Sequence, residues 1–331
     1  MTFKFENTYI NETATVTGPY EAKGPLGKYF DLCYKDLYFN QKTWEQAEIK
    51  LIKDCIEILL KKNKISKNEI DAFIGGDLLN QIVASNYAMK DYQNSFIGIY
   101  SACSTSVLSL ILGSILIQNG LNKVITFTSS HNNSAEKQYR YPVEYGGPKR
   151  KTTTFTATGA AGTIISKTLS KIKIESGTIG RVIDSNIKDV YHMGGVMAKS
   201  AADTINKHLI DTNRNADYYD LILTGDLGIY GREIFKEYLQ NKYNITLKNY
   251  NDTGVMLYDL KKQAVYAGAS GPVCAPLVTY SYIFDLMKKG KYKKILLIAT
   301  GALMNPTMVN QKLTIPAISH AISLEALIWF I

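Results

Sequence analysis

Residues 101–128 of the chain read SACSTSVLSLILGSILIQNGLNKVITFT, and residues 269–299 read ASGPVCAPLVTYSYIFDLMKKGKYKKILLIA. Each stretch predicts a helix that begins with small residues and ends at a glycine, followed by a short apolar strand. An offset of 170 residues superimposes Gly120 on Gly290 and Cys103 on Val273. The repeat therefore indicates two diverged copies of one αβ unit.

A second pair of segments repeats in the same way. Apolar positions at helical spacing predict a helix over Trp44–Lys61, and residues 70–78 (IDAFIGGDL) predict a short buried strand. About 150 residues later, Ala201–Leu209 predicts a helix and residues 219–227 (YDLILTGDL) predict a strand. Both strand segments end in Gly-Asp-Leu, so the duplication extends through most of each half.

The order of these elements predicts the fold class. Short continuous apolar strands that alternate with helices favour mainly parallel sheets covered on both faces. The helix segment Val107–Ile117 is apolar nearly all round, so we expect it to lie between layers. We predict a duplicated α/β fold in which two βαβαβ-type halves, 1–170 and 171–331, form a layered αβαβα sandwich. The halves are not expected to separate. A buried final strand is favoured for the apolar end 326–331, and an altered terminus or a short tail that touches a membrane are the alternatives.

The positive charge of the chain comes mainly from lysine. The 331 residues include 38 Lys and Arg against 29 Asp and Glu, which gives a net charge of +9, and five of the basic residues are Arg. The small number of arginines argues against a nucleic-acid partner, because proteins usually contact base edges and phosphates through clusters of arginine. The charge suits anionic lipid surfaces or small anions, although lysines dispersed by codon bias would give the same total.

The sequence shows no motif for targeting, a metal or a cofactor. Residues 1–18 hold no signal-peptide core, and Val107–Ile117 is shorter than the roughly 20 residues that a spanning helix needs. The four cysteines lack CxxC spacing, and neither a P-loop nor a GxGxxG turn occurs. We therefore expect a soluble or peripheral protein of a reducing compartment, with no metal and no cofactor.

Cys103 is the first candidate site residue, because it lies at the start of the buried helix. A thiol at a helix N-terminus is activated when the positive dipole potential lowers its pKa. The backbone N–H groups of residues 103–106 are expected to form a seat for an anion. The alternative is a small buried core residue.

The second candidate is the segment 129–151, which directly follows a predicted strand, where α/β proteins place their ligand sites. It contains donors and aromatic rings that could hold a flat anion by hydrogen bonds and stacking: His131, Asn132, Asn133, Arg140, Tyr141, Glu144, Tyr145, Lys149 and Arg150. A solvated surface loop is the alternative.

Other polar residues have structural interpretations. Asp77 and Asp226 are expected to cap the turns after their strands. Among the remaining histidines, we expect His192 in a loop, His208 exposed on a helix, and His320 as a hydrogen-bonded core residue.

The duplicated halves and the cysteine at the start of a buried helix resemble the thiolase and ketosynthase superfamily. Within it, the chain resembles the stage V sporulation protein AD family. The matching blocks cover nearly the whole chain in order: Gly24–Gly27, Asn40–Trp44, Gly76–Gln81, Ala102–Ser106, Ser129–Asn132, Tyr139–Pro142, Glu144–Gly147, Gly180–Asp184, Leu223–Leu227, Ala299–Leu303 and Gln311-Lys312.

This resemblance implies a thiolase-like fold and non-enzymatic binding of dipicolinic acid (pyridine-2,6-dicarboxylic acid), with or without calcium. It implies action with other stage V sporulation A membrane proteins in dipicolinate uptake into the developing spore and release at germination. A homodimer, held peripherally at the inner spore membrane, is also implied. The candidate ligand-binding residues are Cys103, Ser104, His131, Asn132, Arg140 and Tyr141.

Cys103 is then a vestigial nucleophile position. A condensing enzyme pairs its cysteine with a His after a strand of the second half and with a His or Asn in a glycine-rich turn. Here residues 221–223 run into Thr-Gly-Asp, and Ala269 occupies the expected position of the turn. Condensation chemistry is expected to be lost. An acyltransferase that uses Cys103 is the alternative function, and an adaptor with an incidental pocket is a third.

Overall fold

The computed structural model of the chain describes residues 1–139 and 149–327. Its strands are β1 Thr2–Lys4, β2 Tyr9–Thr17, β3 Leu32–Cys33, β4 Ala72–Gly76, β5 Ser95–Gly98, β6 Lys123–Ser130, β7 Phe155–Thr156, β8 Gly159–Ser166, β9 Ile172–Ile179, β10 Ile183–Asp184, β11 Leu221–Thr224, β12 Tyr250–Asp252, β13 Ala269–Ser270, β14 Lys294–Ala302 and β15 Pro316–Ala326. Its α-helices are α1 Pro19–Ala22, α2 Trp44–Asn63, α3 Val83–Met89, α4 Thr105–Gln118, α5 Asn132–Tyr139, α6 Met193–Thr212, α7 Gly228–Tyr243, α8 Cys274–Leu277, α9 Phe284–Lys288 and α10 Pro306–Asn310. A π-helical segment, Val278–Ile283, joins α8 to α9, so residues 274–288 form one continuous helix.

The strand order shows the duplication directly. The main sheet runs β5-β4-β6-β8-β2 through one half and β9-β15-β14-β11-β12 through the other, joined where β2 pairs with β9. In each half, counted from the outer edge of the sheet inward, the first two strand pairings are parallel and the next two are antiparallel. The expectation of mainly parallel sheets is therefore wrong for the inner strands, because β8 and β15 run antiparallel to both of their neighbours. The α/β class and the layered fold are confirmed.

The central layer contains the two helices that the repeat predicts. α4 contacts β4, β6 and β8 of the first half and also β9, β14 and β15 of the second. Helix 274–288 packs on β2 and β8 and shares one apolar core with α4. Both helices lead into a glycine with positive φ, Gly120 at 113° and Gly290 at 81°, as residues without a Cβ tolerate best. This match confirms the predicted superposition of the two glycines.

The outer layers cover the remaining faces of the sheet. α2 packs on β2, β6 and β8, and α6 packs on β14 and β15 with α7 beside it. α2 begins where the Thr43 side chain accepts a hydrogen bond from Gln46 N at 3.2 Å, and it ends at Lys64 in left-handed conformation. The order of layers is therefore helix, sheet, helix, sheet, helix.

The predicted boundary between the halves, at residue 170, falls in the loop between β8 and β9, and it stays a prediction. The N-terminal strand β1 nevertheless pairs with β9 of the second half. The final strand β15 extends to Ala326, and residues 328–331 of the predicted apolar end lie outside the described residues.

Candidate functional site

A cavity of about 60 Å³, which opens to solvent, lies where the carboxyl ends of strands from both halves meet. The start of the α4 segment contributes Cys103, and the residues after β11 contribute Asp226. The rest of its polar lining consists of Glu136 on α5, Thr156 on β7 and Ser270 on β13. The cavity is thus assembled from segments distant in sequence.

Most of the remaining lining is apolar. Two tyrosines, Tyr100 and Tyr139, flank it, and their hydroxyl oxygens lie 3.1 Å apart. The Tyr139 hydroxyl also donates to the backbone oxygen of Leu78. Small and flexible side chains complete the wall: Leu78, Ala135, Met193, Met197, Ala302 and Met304. Such a lining suits a small ligand with an apolar ring.

The turn that carries Cys103 is tight. Ala102 has a φ of 46°, and residues Ala102–Ser104 form a single 3₁₀ turn that leads into α4. The N–H groups of Ser104 and Thr105 donate to the carbonyl oxygens of Ser101 and Ala102. These two N–H groups are therefore engaged within the turn, and the expected anion seat stays a prediction for the N–H groups of Cys103 and Ser106. Ser104 itself is buried, and its hydroxyl donates to Ser101 O at 2.7 Å instead of lining the cavity.

Cys103 lines the cavity, but its thiol is not activated. Burial of the sulfur, together with the neighbouring Asp226 carboxyl, raises the pKa of the Cys103 thiol well above its usual value. The expectation that the helix start lowers this pKa is wrong, because desolvation and a nearby carboxylate outweigh the dipole. Cys103 is therefore a neutral thiol near the Asp226 carboxyl group.

Asp226 is the buried acid of the site. Thr300 Oγ1 donates to its Oδ1 at 2.5 Å, and Gly271 N donates to its Oδ2 at 3.0 Å. Burial raises the pKa of Asp226 to about 7 in spite of these donors. Sequence analysis interpreted Asp226 as a cap, but the capping carboxylate is Asp252, which accepts from Leu227 N and Gly228 N. Asp77 does act as predicted, since it accepts from Leu79 N at 2.9 Å.

The glycine-rich turn reaches the cavity through Ser270 and Gly271. Ala269 is fully buried in the core, so the position predicted to face a ligand is occupied by Ser270 instead. Gly271 has a φ of 100°, and a Cβ there would lie 3.0 Å from Ser130 Oγ. A glycine is required at this point for the turn to reach Asp226.

His320 supports the Cys103 turn from the second half. Its Nε2 lies 2.8 Å from Ser101 Oγ, and its Nδ1 accepts from Gly180 N at 3.3 Å. Burial lowers the pKa of His320 to about 4, so the ring is neutral. The predicted hydrogen-bonded core histidine is confirmed, and this contact ties the two halves together behind the site.

His131 and Asn132 stand beside the cavity rather than in its lining. His131 is buried, with Nε2 2.8 Å from Leu37 O and Nδ1 accepting from Asn133 N at 3.2 Å. The Asn132 amide donates to Thr156 O at 3.1 Å, which fixes the start of α5. Their predicted ligand contacts stay predictions, and this geometry turns both side chains toward the protein.

Arg140 and Tyr141 lie outside the described residues. They follow Tyr139, the last residue of α5, and three residues of α5 line the cavity. Within the described ranges the lining contains no lysine or arginine.

The remaining histidines lie outside the cavity lining. His208 was expected to be exposed, but it is buried between Thr178 Oγ1 at 2.7 Å and Tyr219 OH at 2.9 Å. His192 precedes α6. All four histidines of the chain fall within 1–139 and 149–327, and none lines the cavity.

Sequence reasoning missed most of the cavity wall. Asp226 was visible as part of the repeated Gly-Asp-Leu, but no local signal distinguished a cap from a cavity acid. Tyr100 adjoins the Cys103 motif in sequence and was available as a candidate. The methionines at 193, 197 and 304 carry no signal that separates a cavity wall from a core.

Two kinds of feature are absent from the described part of the chain. No group of three or more His, Cys, Asp or Glu side chains is placed to hold a metal ion. None of the helices there has the length and apolar character to cross a bilayer.

The duplicated layers, with a cysteine at the start of a central helix, define a thiolase-like protein. Solved structures agree in fold across nearly the whole chain. Cerulenin-bound OleA of Xanthomonas campestris has a TM-score of 0.62 at 12% identity, covering 97% of this chain and 100% of that one. The 3-oxoacyl-[acyl-carrier-protein] synthase III of Aquifex aeolicus VF5 has a TM-score of 0.55 at 16% identity, covering 96% of this chain and 99% of that one.

Within this class the chain belongs to the stage V sporulation protein AD family, whose model matches residues 1–325. It is 45% identical over 327 residues to Stage V sporulation protein AD of Bacillus subtilis (strain 168), which covers 98% of this chain and 96% of the relative. The predicted family is confirmed.

Proposed function

We propose that this sporulation protein binds dipicolinate, without catalysis, in the cavity beside Cys103. It acts with stage V sporulation A membrane proteins in dipicolinate uptake into the developing spore and in its release at germination. The observation that carries the non-catalytic part is the surroundings of Cys103. Its polar neighbour is a carboxyl group that keeps the thiol protonated, and no histidine of the described chain lines the cavity. A thiol without a base is a poor nucleophile.

The lining of the cavity supports a small planar ligand. Tyr100 and Tyr139 offer aromatic surface, and Met193 and Met197 offer adaptable apolar contacts. Ser270 and Thr156 offer hydroxyl groups for a ligand carboxylate. Asp226 is half protonated near neutral pH, so it repels an anion less than an ordinary aspartate does.

Charge sets the form of ligand to be tested. Dipicolinate is a dianion, whereas the described lining presents the carboxyl groups of Asp226 and Glu136. Arg140, which follows α5 in sequence, is the cation that we propose for one ligand carboxylate. Calcium would neutralise the dianion in the same way, so the calcium complex is the second form of ligand to test.

Calorimetry with dipicolinate, calcium dipicolinate and benzoate tests this proposal. We expect heat with dipicolinate or its calcium complex and little with benzoate, which lacks the second carboxylate and the ring nitrogen. Ala302→Leu narrows the cavity and should weaken binding at least about fivefold, since overpacking the cavity wall costs about 1 kcal/mol or more. Ala264→Leu, at an exposed alanine, is the matched control and should bind normally. Equal and negligible heats for all three ligands would refute the proposal.

The acyltransferase alternative is favoured by one observation, the cysteine retained at the start of the central helix of a fold shared with condensing enzymes. Intact-mass measurement after incubation with acyl-CoA separates the two functions. We expect no adduct on Cys103. A stable adduct that disappears in Cys103→Ser would support acyl transfer instead.

The adaptor alternative and the implied homodimer are tested with the same variants. If docking is the main task of the protein, an Ala302→Leu variant that binds no ligand should still sediment with the membrane partners. If ligand binding is the main task, this variant should lose that association. Analytical ultracentrifugation of the wild-type chain tests the dimer.

A further inference from the structure

Four loops meet at the end of the molecule opposite to the cavity, and we call their surface the basic face. Each loop is taken with the adjoining ends of its helix or strand: residues 61–71 from the last turn of α2 to β4, 118–123 from the end of α4 to the start of β6, 167–173 from β8 into the start of β9, and 288–294 from the end of α9 to the start of β14. Each loop leads into a strand that starts at this end of the sheet, so the strands place all four on one side.

Backbone pairing makes this face continuous. Asp71 N donates to Lys123 O at 2.9 Å, and Lys123 pairs with Ser166, the residue before the third loop. On the other side, Leu327 N donates to Lys171 O at 2.8 Å and Ala326 N donates to Lys293 O at 2.7 Å. The loops of both halves therefore adjoin one another through shared strands.

The basic face contains the whole positive balance of the chain. The four loops hold thirteen lysines against Glu69 and Asp71, a net charge of +11. Since the chain carries +9, all of its other residues together carry −2. Ion pairs engage Lys62, Lys123, Lys289 and Lys294. The other nine lysines of the face form no ion pair with any residue of the described ranges.

The strand β14 gives the distance between this face and the cavity. Lys294 begins the strand at the basic face, and Ala302 ends it in the cavity wall. Eight residue steps at roughly 3.3 Å each place the two about 26 Å apart. A partner that covers the basic face therefore leaves the cavity mouth uncovered.

The composition of the face favours a lipid surface over a protein or a nucleic acid. Every basic residue in the four loops is lysine, a point charge suited to a diffuse layer of anionic headgroups rather than to fork-shaped recognition. Leu169 projects from among these lysines with 53% of its surface exposed, between Lys167 and Lys171. An apolar side chain within a lysine field is the combination that peripheral membrane contacts use.

We propose that the basic face docks directly on an anionic lipid bilayer and holds the cavity about 26 Å away from it, facing away from the membrane surface. The proposal extends the membrane role in the proposed function, but it requires neither dipicolinate nor a protein partner. The two can therefore fail separately.

Vesicle sedimentation without dipicolinate tests it on the full chain. We expect binding to phosphatidylcholine vesicles that contain phosphatidylglycerol, and at least about tenfold weaker binding when the phosphatidylglycerol is omitted. Raising the salt from about 0.05 M to about 0.5 M should release the protein, because the Debye length falls below the spacing of the charges. The triple variant Lys288→Glu, Lys291→Glu and Lys293→Glu should lose at least about tenfold in binding.

A matched control separates the face from total charge. The control is a second triple variant that changes three exposed lysines outside the basic face: Lys23→Glu, Lys261→Glu and Lys312→Glu. It alters the net charge by the same amount, and it should keep more than about half of the wild-type binding to the vesicles. Circular dichroism and thermal melting show whether each variant is folded. Equal loss in the two triple variants would overturn the proposal. The proposal would also be overturned if the chain failed to bind lipid but bound its membrane protein partners through the same lysines. The basic face would then be a docking surface for an acidic protein.

Discussion

Replacement of the buried Glu21 by glutamine should change how the stability of the protein depends on pH. Glu21 is fully buried, and Oε1 accepts from Thr158 N at 2.9 Å and from the Tyr258 hydroxyl. Its Oε2 has no hydrogen-bond partner among the described residues. Burial raises the pKa of Glu21 from 4.5 to about 7.

The sign and size of the effect follow from this pKa. Because the folded protein holds the Glu21 proton more tightly than the unfolded chain does, the favourable contribution is complete below pH 4.5 and is lost as the pH rises through about 7. Each pKa unit corresponds to about 1.4 kcal/mol, so the full loss is about 3 kcal/mol. Roughly 2.5 kcal/mol of this falls between about pH 5 and pH 8.

Urea unfolding of wild type and Glu21→Gln at about pH 5 and pH 8 measures this contribution. The glutamine keeps the acceptor for Thr158 and Tyr258 but buries an unpaired amide, so we expect it to be less stable by about 1–2 kcal/mol at the lower pH. At the higher pH the variant should gain about 2.5 kcal/mol relative to wild type. The other buried acids are present in both proteins, so their contributions cancel: Glu48, Asp77, Asp226 and Asp252.

Glu57→Gln, at an exposed glutamate of α2, is the control and should leave the pH dependence as in wild type. If Glu21→Gln and wild type lose the same stability between the two pH values, the reasoning from burial is refuted.

Three further predictions concern the site. Cys103 should react with iodoacetamide more slowly than the exposed Cys33 at about pH 8, because the pKa of the Cys103 thiol is raised. Peptide mass spectrometry measures both rates in one sample, and faster labelling of Cys103 would contradict the neutral thiol. His320→Ala removes the hydrogen bond to Ser101 Oγ. It should lower the free energy of unfolding by about 2–4 kcal/mol and weaken dipicolinate binding. An unchanged melting temperature together with an unchanged affinity for dipicolinate would show that the contact is dispensable. Gly271→Ala should weaken dipicolinate binding, since φ is 100° and the new Cβ meets Ser130 Oγ. Gly120→Ala is the control: φ is similar there, but no atom lies within 4 Å of the new Cβ. It should lower the free energy of unfolding by only about 1 kcal/mol.

The layered fold could be predicted because its signals are local. The apolar periods of 44–61 and 107–117, and glycines at the same place in each repeat, are readable in single segments. The direction of strand pairing was not readable in this way. β8 and β15 are antiparallel to their neighbours because of how the chain returns across the sheet, and a continuous apolar strand looks the same in either direction.

The site was only partly predictable because its chemistry depends on contacts between distant segments. Cys103 was found from its motif, but the sign of its pKa shift depends on Asp226, which the fold brings from the other half. His208 looked exposed because its helical position says nothing about Thr178 on β9. The lysine runs at 61–67 and 288–294 resembled two separate helix ends, and only the fold joins them into one basic face.

A crystal structure of the chain with dipicolinate tests the central claim most directly. We predict the ligand beside Cys103, between Tyr139 and Met197, with its ring separated from the sulfur by a van der Waals contact and with no covalent bond. Dipicolinate bound elsewhere, or continuous density from the Cys103 sulfur to a ligand, would contradict it.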